Sequence, residues 1–253
     1  MTRIHRERRG SGEEKILFLH GWGCTGAMMK SVADALAPNA EVMTLDFPGF
    51  GESDRPPEPW GVPEYAEAVR ALLQEEDFIP CSVVAHSFGG RVAIWLASEY
   101  PNLFKKIVIT GGAGIKKPQT EEAKKRSEEF KRKKAVWEKV KTVKLFSGIA
   151  EKAEEKLRQQ YGSADYNALD EEMRKTFVKV ISLDLADRLP RIQQPTLLLW
   201  GDHDTETPLW MGQRMEREIP DAGLVILEGG THFAYLEQAA RFNTIIRQFL
   251  IGG

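Results

Sequence analysis

Ala85-His86-Ser87-Phe88-Gly89 is the stretch whose reading decides the fold. An apolar run, Cys81-Ser82-Val83-Val84-Ala85, leads straight into it. The residues that follow, Phe88-Gly89-Gly90-Arg91-Val92-Ala93-Ile94-Trp95-Leu96-Ala97, have the pattern of a helix. A strand that turns sharply into a helix at a serine lifts that hydroxyl to the tip of the turn. Bulky side chains two places to either side would clash, so small residues are needed there. Gly89 meets that demand, and Ala85, in place of the usual glycine, meets it nearly as well. Ser87 is therefore a candidate nucleophile; the bland alternative is an ordinary turn serine.

Similar apolar runs recur on both sides of this turn. Strands are expected at Lys15–His20, Glu41–Asp46, Ser82–Ala85, Lys106–Thr110, Pro195–Trp200 and Leu224–Leu227. Helices are expected at 27–37, 63–77, 88–100, 207–218 and 233–250. Unbroken apolar strands alternating with helices imply an α/β fold, a mostly parallel, doubly wound sheet covered on both faces. Residues 1–9 supply one further short strand or a hairpin.

One segment breaks the alternation. From Lys116 to Ser182 the composition is helical, with about 18 Lys and Arg against about 12 Asp and Glu. The net charge of the whole chain is −2, so the remainder lies near −8. Apolar residues recur through the segment at Phe130, Trp137, Val140, Phe146, Ile149, Leu157, Tyr161, Met173, Phe177 and Val180. The pattern predicts an amphipathic, all-helical insertion with a solvated outer face. The expected organisation is a core of residues 1–114 and 184–253 interrupted by a helical cap at 115–183.

Composition excludes several classes of function. A chain of 253 residues suits one α/β domain with an insertion. Its slight negative charge argues against nucleic-acid binding. No apolar run reaches the roughly 18 residues of a membrane span. The basic start, Met1-Thr-Arg-Ile-His-Arg-Glu-Arg-Arg9, has no apolar segment behind it, which leads us to expect a cytoplasmic protein. Two cysteines, Cys24 and Cys81, are too few for a disulfide framework and are expected to be reduced.

A serine needs a base to remove its proton. Of the five histidines, His5, His20, His86, His203 and His232, the last sits in Glu228-Gly-Gly-Thr-His-Phe-Ala234, a glycine-bearing loop after the final strand. Loops at the carboxyl ends of parallel strands are where α/β sites lie. The loop Gly201-Asp-His-Asp-Thr-Glu-Thr-Pro208 opens at the same edge, and either Asp202 or Asp204 can hold the His232 ring and stabilise its charged form. Gly21, Gly23 and Gly26 surround Trp22, a loop able to present backbone N–H groups to a developing oxyanion. Trp22 N–H and Phe88 N–H would form that hole. The same glycines mimic a dinucleotide fingerprint with Asp46 as its acid, but that reading leaves Ser87 unexplained. His20, His86 and His203 are not spaced as a zinc site.

Together these residues resemble the α/β-hydrolase superfamily over almost the whole chain apart from the cap. His20-Gly-Trp-Gly23 is similar to its oxyanion loop, Asp46-Phe-Pro-Gly-Phe-Gly-Glu-Ser53 to its D-x-P-G-x-G-x-S loop, and Ala85 to Gly90 to its nucleophile elbow. Gly201-x-x-Asp204-x-x-x-Pro208 matches the acid motif and so selects Asp204 over Asp202; Gly230-Thr-His232 matches the base motif. The resemblance implies a catalytic triad of Ser87, Asp204 and His232, with no cofactor and no metal. It also implies a serine carboxylesterase acting on a small-molecule ester through an acyl-enzyme. A serine at position 87 excludes the aspartate chemistry of dehalogenases and epoxide hydrolases. Carbon–carbon hydrolases of ring-cleavage products, perhydrolases and carrier-protein-linked methyl esterases use the same triad, and some proteins of this fold are ligand-binding receptors. The basic cap has the sign to dock an acidic carrier protein, although a charge run ordinarily marks a solvated face. Trp137, Phe146 and Phe177 would either line an acyl pocket or pack the cap.

Overall fold

Seven strands form one sheet in the order β1-β3-β2-β4-β5-β6-β7. They are β1 Arg6–Arg9, β2 Glu14–Leu19, β3 Ala40–Leu45, β4 Cys81–His86, β5 Phe104–Thr110, β6 Thr196–Gly201 and β7 Ala222–Leu227. The computed structural model describes residues 2–116, 121–141, 153, 156 and 164–252. Only the β1–β3 pair is antiparallel; every other neighbouring pair is parallel. The N-terminal segment thus supplies an edge strand, with Arg8 opposite Met43.

Alternation along the strands builds two cores. Leu17, Leu19, Val83, Ala85, Ile107, Ile109, Leu198 and Trp200 face one side of the sheet. Their neighbours Ile16, Phe18, Val84, Val108 and Leu199 face the other. Both sets are buried, which is why these strands read as continuous apolar runs. Helices α2 (Val62–Glu75) and α3 (Phe88–Glu99) cover the first face through Tyr65, Val69, Val92 and Leu96. Helix α1 (Lys30–Leu36) covers the second through Val32 and Leu36.

The other helices are α4 Glu121–Lys141, α5 Ala164–Ala168, α6 Glu171–Ser182, α7 Trp210–Glu218, α8 Ala234–Glu237 and α9 Ala239–Leu250. Met215 of α7 joins the first core, and Phe242 and Ile246 of α9 join the second. The expected helix at 207–218 starts three residues late, because Thr207 and Pro208 are held in the preceding turn. The expected single helix at 233–250 is two. Gln238 breaks it at φ −119° and ψ 41°, and its side-chain amide donates to the Glu228 carbonyl at 2.8 Å.

The chain divides into two compact units, Met1–Lys116 with Val178–Gly253, and Lys117–Phe177. Within the second, Phe177 lies 6.2 Å from Tyr166, ring centre to ring centre. Trp137 is half-buried, whereas Phe146, Ile149, Leu157 and Tyr161 lie outside the described residues.

From β2 the chain winds one way to β3, then β4 pairs on the opposite side of β2. This reversal is the topological switch point, where ligands bind beyond the carboxyl ends of the strands. The loops after β2 and β4 are the ones that carry Trp22 and Ser87.

Candidate active site

The turn at Ser87 is as sharp as its sequence demands. Ser87 has φ +50° and ψ −108°, a conformation that costs a non-glycine residue about 1–3 kcal/mol. The surroundings fix it. Ser87 N–H donates to the Thr110 carbonyl at 3.2 Å, and the Ser87 carbonyl accepts from Gly90 and Ala113 at 3.0 and 3.1 Å. Gly89 N–H donates to the His20 carbonyl at 3.1 Å, so close that a Cβ on Gly89 would lie 2.4 Å from the Leu19 oxygen. Among the described residues the half-buried Ser87 hydroxyl makes no hydrogen bond.

The structure brings Asp204 and His232 together. His232 Nδ1 lies 2.8 Å from Asp204 Oδ2, and the Asp204 side chain is wholly buried. The other carboxylate oxygen, Oδ1, accepts from the Glu206 and Thr207 amides, both at 2.9 Å. Thr207 Oγ1 sits 2.8 Å from Oδ2 and 2.9 Å from the Gly111 carbonyl. Burial alone would raise the Asp204 carboxyl, but the hydrogen bond and charge of His232, aided by Thr207, outweigh it and hold the group below its ordinary range. With Nδ1 turned to the carboxylate, His232 Nε2 is the nitrogen left for proton transfer. Gly111, next to the Thr110 that holds Ser87, lies under this pair. A Cβ there would come 3.2 Å from both Asp204 Oδ2 and His232 Nδ1.

Asp202 takes a different part. Its Oδ1 accepts from Gly229 N–H at 2.7 Å, pinning the loop that carries His232. His203 is exposed, and its amide holds the Gly230 carbonyl at 2.9 Å. His86 was not marked by its sequence, yet its ring centre is 4.7 Å from that of His232. Thr207 and Gly111 also carry no chemical signature of their own in the sequence.

Trp22 lies in a turn closed by Cys24 N–H donating to the Gly21 carbonyl at 3.2 Å. Its ring meets Phe50 and Phe88 edge-on at 4.9 and 5.4 Å, so the two amides expected at the oxyanion hole belong to touching residues. Asp46 clamps this loop from behind. One carboxylate oxygen accepts from Gly26 N–H at 2.7 Å and the other from Glu52 N–H at 2.9 Å. A carboxylate spent in this way leaves the dinucleotide reading without its acid. His20 Nδ1 lies 2.7 Å from the Gly21 carbonyl, and its Nε2 accepts from Phe47 N–H at 2.9 Å. Burial pushes His20 down to about 4, so it is a neutral brace. Neither Cys24 nor Cys81 is in a disulfide, and burial pushes the Cys81 thiol up, away from thiolate chemistry.

Comparison with known proteins follows the same lines. Residues 16–245 match the model of the alpha/beta hydrolase family, and the chain belongs to that family. It is 28% identical to a 2-hydroxy-6-oxononadienedioate/2-hydroxy-6-oxononatrienedioate hydrolase of Cupriavidus pinatubonensis, over 98% of this chain and 90% of that protein. It is likewise 28% identical to a pimeloyl-[acyl-carrier protein] methyl ester esterase of Aeromonas hydrophila, over 96% of this chain and 98% of that protein. Among solved structures, an esterase from Exiguobacterium antarcticum shares the fold at a TM-score of 0.74 and 19% identity, covering 98% of this chain and 96% of its own. These relatives are hydrolases, and that is the class they support for this chain. No helix among the described residues is long and apolar enough to cross a membrane.

Proposed function

We propose that this protein is a serine hydrolase that cleaves carboxylic esters through an acyl-enzyme. The observation that carries the reading is the buried Asp204–His232 pair at 2.8 Å, set at the same sheet edge as the strained turn of Ser87. Ser87 Oγ attacks the ester carbonyl while His232 Nε2 takes its proton. Asp204 holds the ring and stabilises the imidazolium. The oxyanion is received by the N–H groups of Trp22 and Phe88. Collapse expels the alcohol, which leaves with the proton from His232. Water, deprotonated by the same nitrogen, then releases the acid and restores Ser87.

Carbon–carbon hydrolysis of a ring-cleavage diketone is the second reading, supported by the similarity to the Cupriavidus protein. The Aeromonas relative supports a narrower form of the first, a methyl ester carried on an acyl-carrier protein. One set of assays separates them. Initial rates are measured on p-nitrophenyl esters of graded acyl length and on a vinylogous diketone, with Ser87→Ala beside the wild type. Ester turnover that Ser87→Ala reduces to background upholds the ester reading, and the optimum length sizes the pocket. Turnover of the diketone alone favours the second reading. Full activity in Ser87→Ala rejects the mechanism.

A further inference from the structure

His86 has no part in the chemistry above, yet it is the side chain most closely engaged with the proposed base from outside the acid loop. Neighbouring residues on a strand point to opposite faces, so His86, at the end of β4, faces away from Ser87 and reaches the loop after β7. Its Nε2 lies 3.0 Å from the His232 carbonyl oxygen. A carbonyl only accepts, so Nε2 carries the proton and Nδ1 is a bare lone pair. That Nδ1 is buried and has no hydrogen-bond partner among the described residues. It faces Gly21, where a Cβ would approach it to 2.9 Å. The ring is walled in by His232, Tyr235 and Phe233, with centres 4.7, 4.8 and 5.3 Å away.

We infer that His86 is a positioning residue for His232: its Nε2–H fixes the backbone of the base while Asp204 fixes the imidazole. The inference rests on the serine-hydrolase reading. Two anchors are needed because one carboxylate bond leaves a ring free to pivot about it. The donor on the carbonyl fixes the Cα from which the ring hangs, so Nε2 of His232 has one direction to point. A misplacement of about 1 Å at a reacting group can cost about a hundredfold in rate. Histidine also suits the place electrostatically. Burial, and then the nearby His232, push His86 down to about 3. It therefore stays neutral and puts no second positive charge against His232 when that ring takes the serine proton. A lysine or arginine could donate to the same carbonyl but would bring that charge.

The test is the rate at which a fluorophosphonate captures Ser87, because this reads serine activation without a known substrate. Wild type, His86→Gln and His86→Met are compared. Glutamine places an amide N–H near the position of Nε2; methionine fills the volume and donates nothing. His86→Met is expected to slow capture by about 10- to 100-fold, and His86→Gln to recover it to within about threefold of wild type. Capture by His86→Met within about twofold of wild type would overturn the inference. So would a glutamine variant as slow as the methionine one, since that is the mark of packing alone. A wild type that takes no label would reject the serine reading, and this role with it. Nitrogen–proton correlation spectra of the wild-type imidazoles keep the test independent of whether the variants fold. The inference requires His86 protonated on Nε2 and bare on Nδ1 at neutral pH; an Nδ1–H ring or an imidazolium would contradict it.

Discussion

Two regions of the molecule are held in opposite ways. The loops carrying Asp204 and His232 are fixed from several sides: Asp202 on Gly229, the His203 amide on Gly230, Glu237 on the Thr231 amide, and His86 on the His232 carbonyl. Helix α4 instead carries nine basic and five acidic residues along 21 positions. Its Lys125, Arg126, Lys131 and Arg132 are exposed, and Lys133 pairs with Glu129 one turn away at 2.6 Å. Exposed ion pairs of this kind contribute about 0.3–0.5 kcal/mol each. A buried donor or acceptor left without its partner costs about 1–3 kcal/mol. The contrast leads us to expect that activity depends on the groups holding Asp204 and His232 and little on the exposed charges of α4.

The strongest way to break this contrast is the pair of aspartates. In Asp204→Asn the two backbone donors from Glu206 and Thr207 keep the amide oxygen where Oδ1 was. The NH2 group must then face His232 Nδ1, which forces the proton onto Nε2 and leaves no base for Ser87. Ester turnover should fall on the order of 10³- to 10⁴-fold. In Asp202→Asn the oxygen still accepts from Gly229 N–H, so turnover should stay within about threefold of wild type. A reversed ranking in kcat would show that the acid was misassigned.

Gly21→Ala comes next. The added methyl would sit 2.9 Å from His86 Nδ1 and 3.3 Å from the Ser87 Cβ. It should lower kcat by about 10- to 100-fold, with the Tm changed by only a few degrees. Unchanged kcat would mean that the loop is looser than these distances.

Acid stability sharpens the comparison further. Folded His20 and His86 stay neutral to about 4 and about 3. The unfolded chain protonates both near the ordinary histidine value of about 6.5. Below that pH the unfolded state binds more protons, so stability falls as pH drops from about 6.5 towards 4, by up to about 1.4 kcal/mol per unit for each ring. Urea melts at pH 7, 6 and 5 should show falling midpoints, with a shallower fall in His86→Gln. Equal slopes in the two proteins would mean that His86 titrates as an ordinary exposed histidine.

The smallest effect is expected on α4. Charge reversal at Lys131 and Arg132 should shift unfolding free energy by no more than about 0.5 kcal/mol per site. The rate of fluorophosphonate capture should not change. A tenfold loss of capture would show that the helix acts on the chemistry directly.

The fold was legible because burial on both faces writes each central strand as an apolar run, and because the Ser87 turn admits only small neighbours. The candidate site was legible where a residue type by itself suggests a chemistry: Ser87, His232 and an aspartate in the loop after β6. Asp202 and Asp204, two positions apart, were separable only by the resemblance of Gly201-x-x-Asp204-x-x-x-Pro208 to the acid motif, not by the chemistry of either residue. What separates them is which one meets Gly229 and which meets His232, 27 and 28 residues further on. His86 was opaque for the same reason, since the carbonyl it holds is 146 residues away. The break at Gln238 was hidden because the apolar period runs on through it, while the tie to Glu228 that interrupts the helix is a long-range bond.

The central claim is that Ser87 is the nucleophile. The most direct measurement is peptide mapping of the intact wild-type protein after reaction with a fluorophosphonate. A single adduct on the peptide containing Ser87, absent from Ser87→Ala and greatly slowed in His232→Ala, is the predicted result. An adduct on another residue, or none from folded protein, would contradict it.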